Sequence, residues 1–173
     1  MRRLFLPLIL LLLVVLEGVA LDILPSNLID GDLMITPHWV LMFLVLVAIF
    51  YDSEETYHSI LYAMVFGLLI DIAYTGILGV YMFTYGGVIY IIHGLRNMLH
   101  SNIYTILLFG IMGVAAADFI INIIFYVIGI MDALWMDYLM YRLIPSILAN
   151  SLFVLLFYPL FAKRLAKWRE QLS

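Results

Sequence analysis

The sequence predicts an all-α integral membrane protein, a compact bundle of six transmembrane helices with both termini cytoplasmic, and three observations carry that prediction. The first is composition: of 173 residues, 66% are apolar and 12% charged, where soluble domains hold about 45–50% apolar residues. The second is length. A spanning helix needs about 20 mainly apolar residues, so short loops and two small ends leave room for about six spans and no large water-soluble domain. The third is the sorting of charge. Lys and Arg near span ends are retained in the cytoplasm. With the N-terminus inside, Arg2, Arg3, Arg96, Lys163, Arg164, Lys167 and Arg169 fall on the cytoplasmic side and only Arg142 falls outside. An odd number of spans would carry the basic tail across the membrane.

The first span runs from about Leu4 to Leu24 behind Arg2 and Arg3. Its start resembles a signal peptide with Gly18-Val19-Ala20 as a small-x-small site, but the apolar stretch is long for a signal and Glu17 is foreign to one. Asp22 to Pro37 form a polar connector rich in turn residues, among them Pro25, Asn27 and Asp30-Gly31-Asp32. The second span covers about His38 to Phe50. Asp52-Ser53-Glu54-Glu55 is a short charged loop in which Ser53 can cap a helix beginning near Glu54, the third span being about Tyr57 to Ala73. Gly76 and Gly79 mark a very short turn into the fourth, about Leu78 to Leu95, so these two spans form a tight antiparallel hairpin. Arg96 to Asn102 lead to the fifth span, about Ile103 to Ile124 or as far as Ile130, and Asp132 and Asp137 mark an outer loop. The sixth, about Leu143 to Phe161, carries Pro145 in its first turn, where a missing N–H costs nothing. Residues 1–162 then form the transmembrane domain and 163–173 a basic cytoplasmic tail attracted to anionic lipid. Trp39, Tyr51, Trp135, Tyr138 and Trp168 lie where interfacial aromatic belts form.

Nothing in the chain reads as a complete catalytic site. The absence of cysteine excludes disulfides, thiolate metal sites and cysteine nucleophiles. There is no G-x-S-x-G, and Gly67-Leu68-Leu69-Ile70-Asp71 lacks the Gly-x-Gly-Asp arrangement of an intramembrane aspartyl protease. His38, His58, His93 and His100 lie near span ends without metal-ligand spacing and are expected to be interfacial, so no metal or cofactor is expected. A net charge of −4 with no basic, aromatic-interleaved patch offers nothing to nucleic acid. Three carboxylates, Glu17, Asp71 and Asp118, fall within or close to apolar spans, where an acidic residue costs about 2.5–3.5 kcal/mol to insert. Asp71 shares a helix face with Gly67, which lets another backbone approach. It either contacts a partner or orders the turn from Tyr74 to Gly79. Asp118 and Asn122 share a face behind the small pair Gly113 and Ala117, a packing seam with polar glue that serves this bundle or a partner helix. A proton relay would need a chain of titratable partners across the membrane.

The stretch Phe66-Gly67-Leu68-Leu69-Ile70-Asp71, followed by Leu78-Gly79-Val80-Tyr81-Met82-Phe83, resembles the MreD family of rod shape-determining proteins. Glu17 and Asp22, Pro37-His38, and Arg142-Leu143-Ile144-Pro145 with Asn150 fall where that family places such residues, so the resemblance spans nearly the whole chain. Tyr141 stands where some members carry an acidic residue before the arginine, and Asp137 is the available substitute. The resemblance implies a non-enzymatic scaffold or adaptor of cell-wall elongation in the bacterial plasma membrane. It also implies association with an MreC-like bitopic protein, and through it with MreB-like filaments and the RodA/class B penicillin-binding protein synthase. A homo-oligomer stays open. Candidate partner contacts are Gly67, Asp71, Gly76 and Gly79, then Arg142 and Pro145, then Gly113, Ala117 and Asp118. The rival expectation is a substrate-binding membrane subunit of a vitamin-type small-molecule importer, since such subunits are also compact helical bundles.

Overall fold

The run from Trp39 to Tyr51 is apolar on every side, and a helix with no polar face has to be enclosed by others. That is where it lies. The computed structural model describes residues 5–23, 34–53, 55–130 and 135–170 and shows six helices and no strand among them. These are α1 (Phe5–Ile23), α2 (Trp39–Tyr51), α3 (His58–Thr75), α4 (Val80–Leu95), α5 (Ile103–Val127) and α6 (Trp135–Glu170). The expected turn from Pro25 to Asp32, and Glu54 and Asp132, lie outside the described residues. The other five helices all touch α2, and Val40 through Ala48 are wholly inaccessible. Against α6 the packing is aromatic: Trp39 stacks on Phe153 with ring centroids 5.3 Å apart, and Phe43 meets Phe161 edge-on at 4.9 Å.

At ~1.5 Å per residue α2 is about 20 Å long, short of a ~30 Å hydrocarbon core. Among the described residues, α3, α5 and α6 are long and apolar enough to cross a membrane by themselves, and Phe5–Ala20 and α2 are shorter apolar helices. Phe5 at the start of α1 stacks on Trp168 near the end of α6, centroids 5.9 Å apart. The start of α1 and the last turns of α6 therefore meet at one end of the bundle, the terminus end. Here α6 extends the expected sixth span in both directions, back to Trp135 and on to Glu170 through the basic segment, where Ala162 and Leu165 are buried.

Two helix starts differ from expectation for identifiable reasons. α3 begins at His58, and the group satisfying its first turn is Asp52, whose Oδ2 accepts from the Ser59 amide at 2.9 Å and from the Ser59 hydroxyl at 2.5 Å. A carboxylate offers a stronger acceptor there than the Ser53 hydroxyl. Ser53 instead turns its own amide to Thr56 Oγ1 at 2.7 Å. α6 opens through a π turn, Tyr138–Leu143, just ahead of Pro145. Proline has no N–H for the carbonyl one turn back, and that carbonyl, Tyr141 O, accepts from the Met34 amide at 2.8 Å.

The α3–α4 hairpin is closed by backbone. A Cβ on Gly67 would stand 2.8 Å from both Met82 Cα and the Tyr81 carbonyl oxygen, so these helices touch main chain to main chain. Gly76 and Gly79 take φ of 68° and 100°, left-handed values that side chains other than glycine's resist.

Candidate functional site

The far end of the bundle, opposite the termini, holds a layer of polar side chains in which α2 is seated. Its first part is a strap. Residues 34–38 run extended along α6: the Thr36 amide donates to Ser146 Oγ at 2.9 Å, and the His38 amide donates to Asn150 Oδ1 at 2.7 Å. Asn150 Nδ2 returns bonds to the Thr36 and Ser146 carbonyls at 2.9 and 2.8 Å. The strap delivers His38 to the first turn of α2 with its backbone satisfied, as water-free surroundings require. Glu17, reaching from α1, accepts the Val40 amide at 2.8 Å. A carboxylate on exposed amides at a helix N-terminus also complements the helix dipole.

The second part is an ion-pair cluster. Asp118 of α5 is wholly buried. Its Oδ1 accepts from Arg142 Nε and Nη2 at 3.3 and 3.2 Å, and its Oδ2 from the Tyr138 hydroxyl at 2.9 Å. His38 Nε2 stands 3.5 Å away, and its Nδ1 lies 2.7 Å from the Tyr85 hydroxyl. Tyr138 and Arg142, four residues apart within the π turn of α6, lie on the same side of the helix, both facing Asp118. Charges taken out of water need this kind of multiple pairing to hold.

The third part is the hairpin clamp. Asp71 is wholly buried at the end of α3, and its carboxylate accepts three amides at the start of α4: Gly79 at 2.9 Å, Tyr81 at 2.8 Å and Met82 at 3.1 Å. Of the two sequence readings of Asp71, ordering the turn is the one this geometry describes. Tyr81 joins the clamp to the cluster, its ring 5.4 Å from Tyr85 and 6.5 Å from His38.

The candidate contacts thus fall into two built units. Gly67, Asp71, Gly76 and Gly79 form the hairpin clamp. Asp118 and Arg142 come together in the ion pair, with Pro145 one turn on in α6. Gly113 and Ala117 sit on the buried side of α5, a Cβ on Gly113 falling 3.2 Å from Ile92 and 3.4 Å from Val88 of α4. The structure also corrects several expectations. The acid opposite Arg142 is Asp118; Asp137 is exposed. His38, His93, Tyr51 and Tyr138 are buried against protein and are not exposed on the surface of the bundle. Glu17, Tyr85 and Asn150 went unrecognised as supports of α2. The available signal was the all-apolar helix itself, whose flanking residues had to be buried with it.

A second polar layer lies at the terminus end. Arg96 donates to the Ala48 carbonyl at 2.6 Å and to the Ser53 carbonyl at 2.5 Å, a cation on the C-terminal carbonyls of α2. Arg96→Lys offers one point donor in place of a planar fork and is expected to cost about 1–2 kcal/mol, read as a lower melting temperature of the detergent-solubilised protein. The two layers are separated by the apolar stretch Val40–Ala48, about 12 Å of helix, so the far-end carboxylates do not continue into a relay through α2. Among the described residues no three histidine or carboxylate side chains gather as a metal site.

Apolar helices around a short central helix pinned at both ends by buried charge define an all-helical membrane protein. The buried polar residues described above bond one helix to another. The chain belongs to the MreD family: the family model for rod shape-determining protein MreD matches residues 1–168. It is 28% identical over 156 residues to the rod shape-determining protein MreD of Bacillus subtilis (strain 168), covering 87% of this chain and 86% of that one. No solved structure matches. Family membership carries a role in the determination of rod shape, and these comparisons lend the vitamin-importer alternative no support.

Proposed function

We propose that the chain is a non-enzymatic, six-span scaffold of the plasma membrane that binds the transmembrane helix of an MreC-like bitopic protein and so helps position cell-wall elongation. One observation carries this reading. The far-end polar groups Glu17, His38, Asp71, Asp118, Arg142 and Asn150 are all turned inward onto this chain's own backbone and side chains. What the described bundle turns outward is mainly apolar helix surface, the kind of surface a partner helix packs against. The meeting of Phe5 and Trp168 supports an even number of crossings, and Arg96, Lys163, Arg164, Lys167 and Arg169 at that same end support a cytoplasmic placement of both termini. Through the bitopic partner the scaffold would reach MreB-like filaments and the RodA/class B penicillin-binding protein synthase.

Within this reading the glycines and carboxylates singled out in the sequence shape the contact surface from behind. The outward side of α4 carries Phe83, Gly87, Tyr90, Ile91 and Gly94 at helical spacing, all exposed, and a Cβ on Gly87 or Gly94 would meet nothing within 4 Å. Two glycines on one exposed face let a second helix come close. Gly87→Leu is expected to leave the melting temperature of the bundle unchanged while reducing co-purification of the bitopic partner at least about fivefold, a loss of ~1 kcal/mol. Full co-purification would remove this face from the account. Because the chain has no cysteine, a single cysteine at Gly87 or Gly94 gives a crosslinking test free of background.

A further inference from the structure

The terminus end of the bundle contains a cavity that the scaffold reading does not use. It has two adjoining lobes, one of about 550 Å³ and one of about 370 Å³, which share Ile49, Ser101 and Arg169 as walls. Both volumes fall in the ~300–1,000 Å³ range of small-ligand sites. The lobes differ in chemistry. Phe50, Tyr51 and Ala166 line the larger one together with Ser53, Thr56, His58 and Glu170, its surface being mainly apolar, whereas Asp52, Arg96, Asn97 and His100 line the smaller, mainly polar one. An apolar compartment joined to a polar one is matched to an amphipathic ligand.

Asp52 narrows the class. It is 1% exposed, and its Oδ2 is committed to Ser59, but its Oδ1 accepts no hydrogen bond. A buried carboxylate oxygen left without a donor costs free energy and calls for an explanation. His58 Nδ1 stands 3.4 Å from it without hydrogen-bond geometry, its side chain 40% exposed and its ring edge-on to Tyr51. His93 Nε2, 4.0 Å from Oδ2, is already engaged with the Thr56 carbonyl at 3.0 Å. Arg96 is held by the Ala48 and Ser53 carbonyls. Arg169, on the wall between the lobes, is exposed and has no ion pair among the described residues. The smaller lobe therefore lacks an N–H donor at Asp52 and has a guanidinium to offer an anion.

We propose that this cavity binds a glycerophospholipid with a primary-ammonium headgroup, phosphatidylethanolamine in type. Its ammonium donates to Asp52 Oδ1, its phosphate pairs with Arg169, and its acyl chains leave along the larger, apolar lobe. A quaternary headgroup has the same charge but no N–H and cannot satisfy Oδ1, so the site discriminates by donor and not by charge alone. The site sits at the C-terminal end of α2, beside the Arg96 guanidinium that holds the Ala48 carbonyl.

The test is native mass spectrometry of the full chain, delipidated in detergent and titrated with phosphatidylethanolamine or phosphatidylcholine of identical acyl chains. A preference of about tenfold or more for phosphatidylethanolamine is expected from one charge-assisted hydrogen bond; equal retention of the two lipids overturns the proposal. Asp52→Asn keeps a carbonyl oxygen for Ser59 and puts an NH2 group where Oδ1 was, so the preference should fall below about twofold; an unchanged preference also overturns it. Arg169→Ala, at an exposed position with no ion pair among the described residues, should weaken both lipids alike, and undiminished binding of both rejects the phosphate contact and with it the site. Glycerophosphoethanolamine, which has the headgroup without acyl chains, should compete only at about 100-fold higher concentration; competition at parity would assign the cavity to a soluble metabolite and not to lipid.

Discussion

Asp118→Ala is expected to lower the stability of the bundle by about 3–5 kcal/mol, the usual cost of breaking a buried ion pair from one side. The size of the effect comes from what is left behind. Arg142 is 9% exposed and donates through both Nε and Nη2 to the one oxygen Asp118 Oδ1. With the carboxylate gone, its charge would sit in an apolar bundle against Tyr138 and His38, and Tyr138 would lose its acceptor as well. Removing the arginine too reverses the sign of the argument. Asp118→Leu combined with Arg142→Met fills the volume with apolar groups and leaves no orphaned charge, so the double variant should recover at least about half of the single-variant loss. Melting of the parent, Asp118→Leu, Arg142→Met and the double variant in detergent reads the cycle directly. Single losses that simply add would show that Asp118 and Arg142 do not act as a unit, and the description of the far end as one network would fail.

The all-helical, apolar character of the chain and the approximate positions of the helices were legible because hydropathy reports burial in lipid or protein regardless of which neighbour does the burying. The hairpin clamp was legible too, since Gly67, Asp71, Gly76 and Gly79 lie close in sequence and act locally. What the sequence could not disclose is the order of packing. A soluble helix advertises its inward side by a polar stripe on the other, but Trp39–Tyr51 has no such stripe and neither do most of its neighbours. The central place of α2 therefore stayed hidden, and with it the roles of residues that serve α2 from other helices: Glu17 from α1, Asn150 from α6, Arg96 after α4. The pairing of Asp118 with Arg142 bridges two helices through a π turn, and π turns have no compositional signature. Placing His38 at a membrane surface followed from its position at a span end. A helix as short as α2 ends inside the bundle, which is why its flanking histidine is wholly buried.

Both ends of α2 carry charge of the sign its dipole favours, Glu17 at the amides and Arg96 at the carbonyls. In lipid this substitutes for water at the helix ends, whose free N–H and C=O groups would otherwise be unsatisfied. The same device recurs at α4, where Asp71 supplies the acceptors.

Asp71→Leu should have the other large effect, about 3–5 kcal/mol, because it orphans the Gly79, Tyr81 and Met82 amides together, at about 1–3 kcal/mol for each donor left fully unsatisfied and less where α4 can relax. Asp71→Asn keeps one carbonyl oxygen for these donors and should lose only about 1–2 kcal/mol. Gly67→Leu attacks the same junction by sterics: its Cβ would lie 2.8 Å from Met82 Cα and the Tyr81 carbonyl oxygen, both main-chain atoms with no rotamer to yield, so α3 and α4 must separate. Separation would in turn pull Tyr81 from Tyr85 and His38 and loosen the far-end layer. If Asp71 acts as a clamp, partner co-purification should fall in step with melting temperature across Asp71→Asn, Asp71→Leu and Gly67→Leu, because each variant damages the surface only through the hairpin. If Asp71 touches the partner, Asp71→Leu should abolish association in a protein that still melts like the parent. The three buried amides on its carboxylate make the first pattern the expected one.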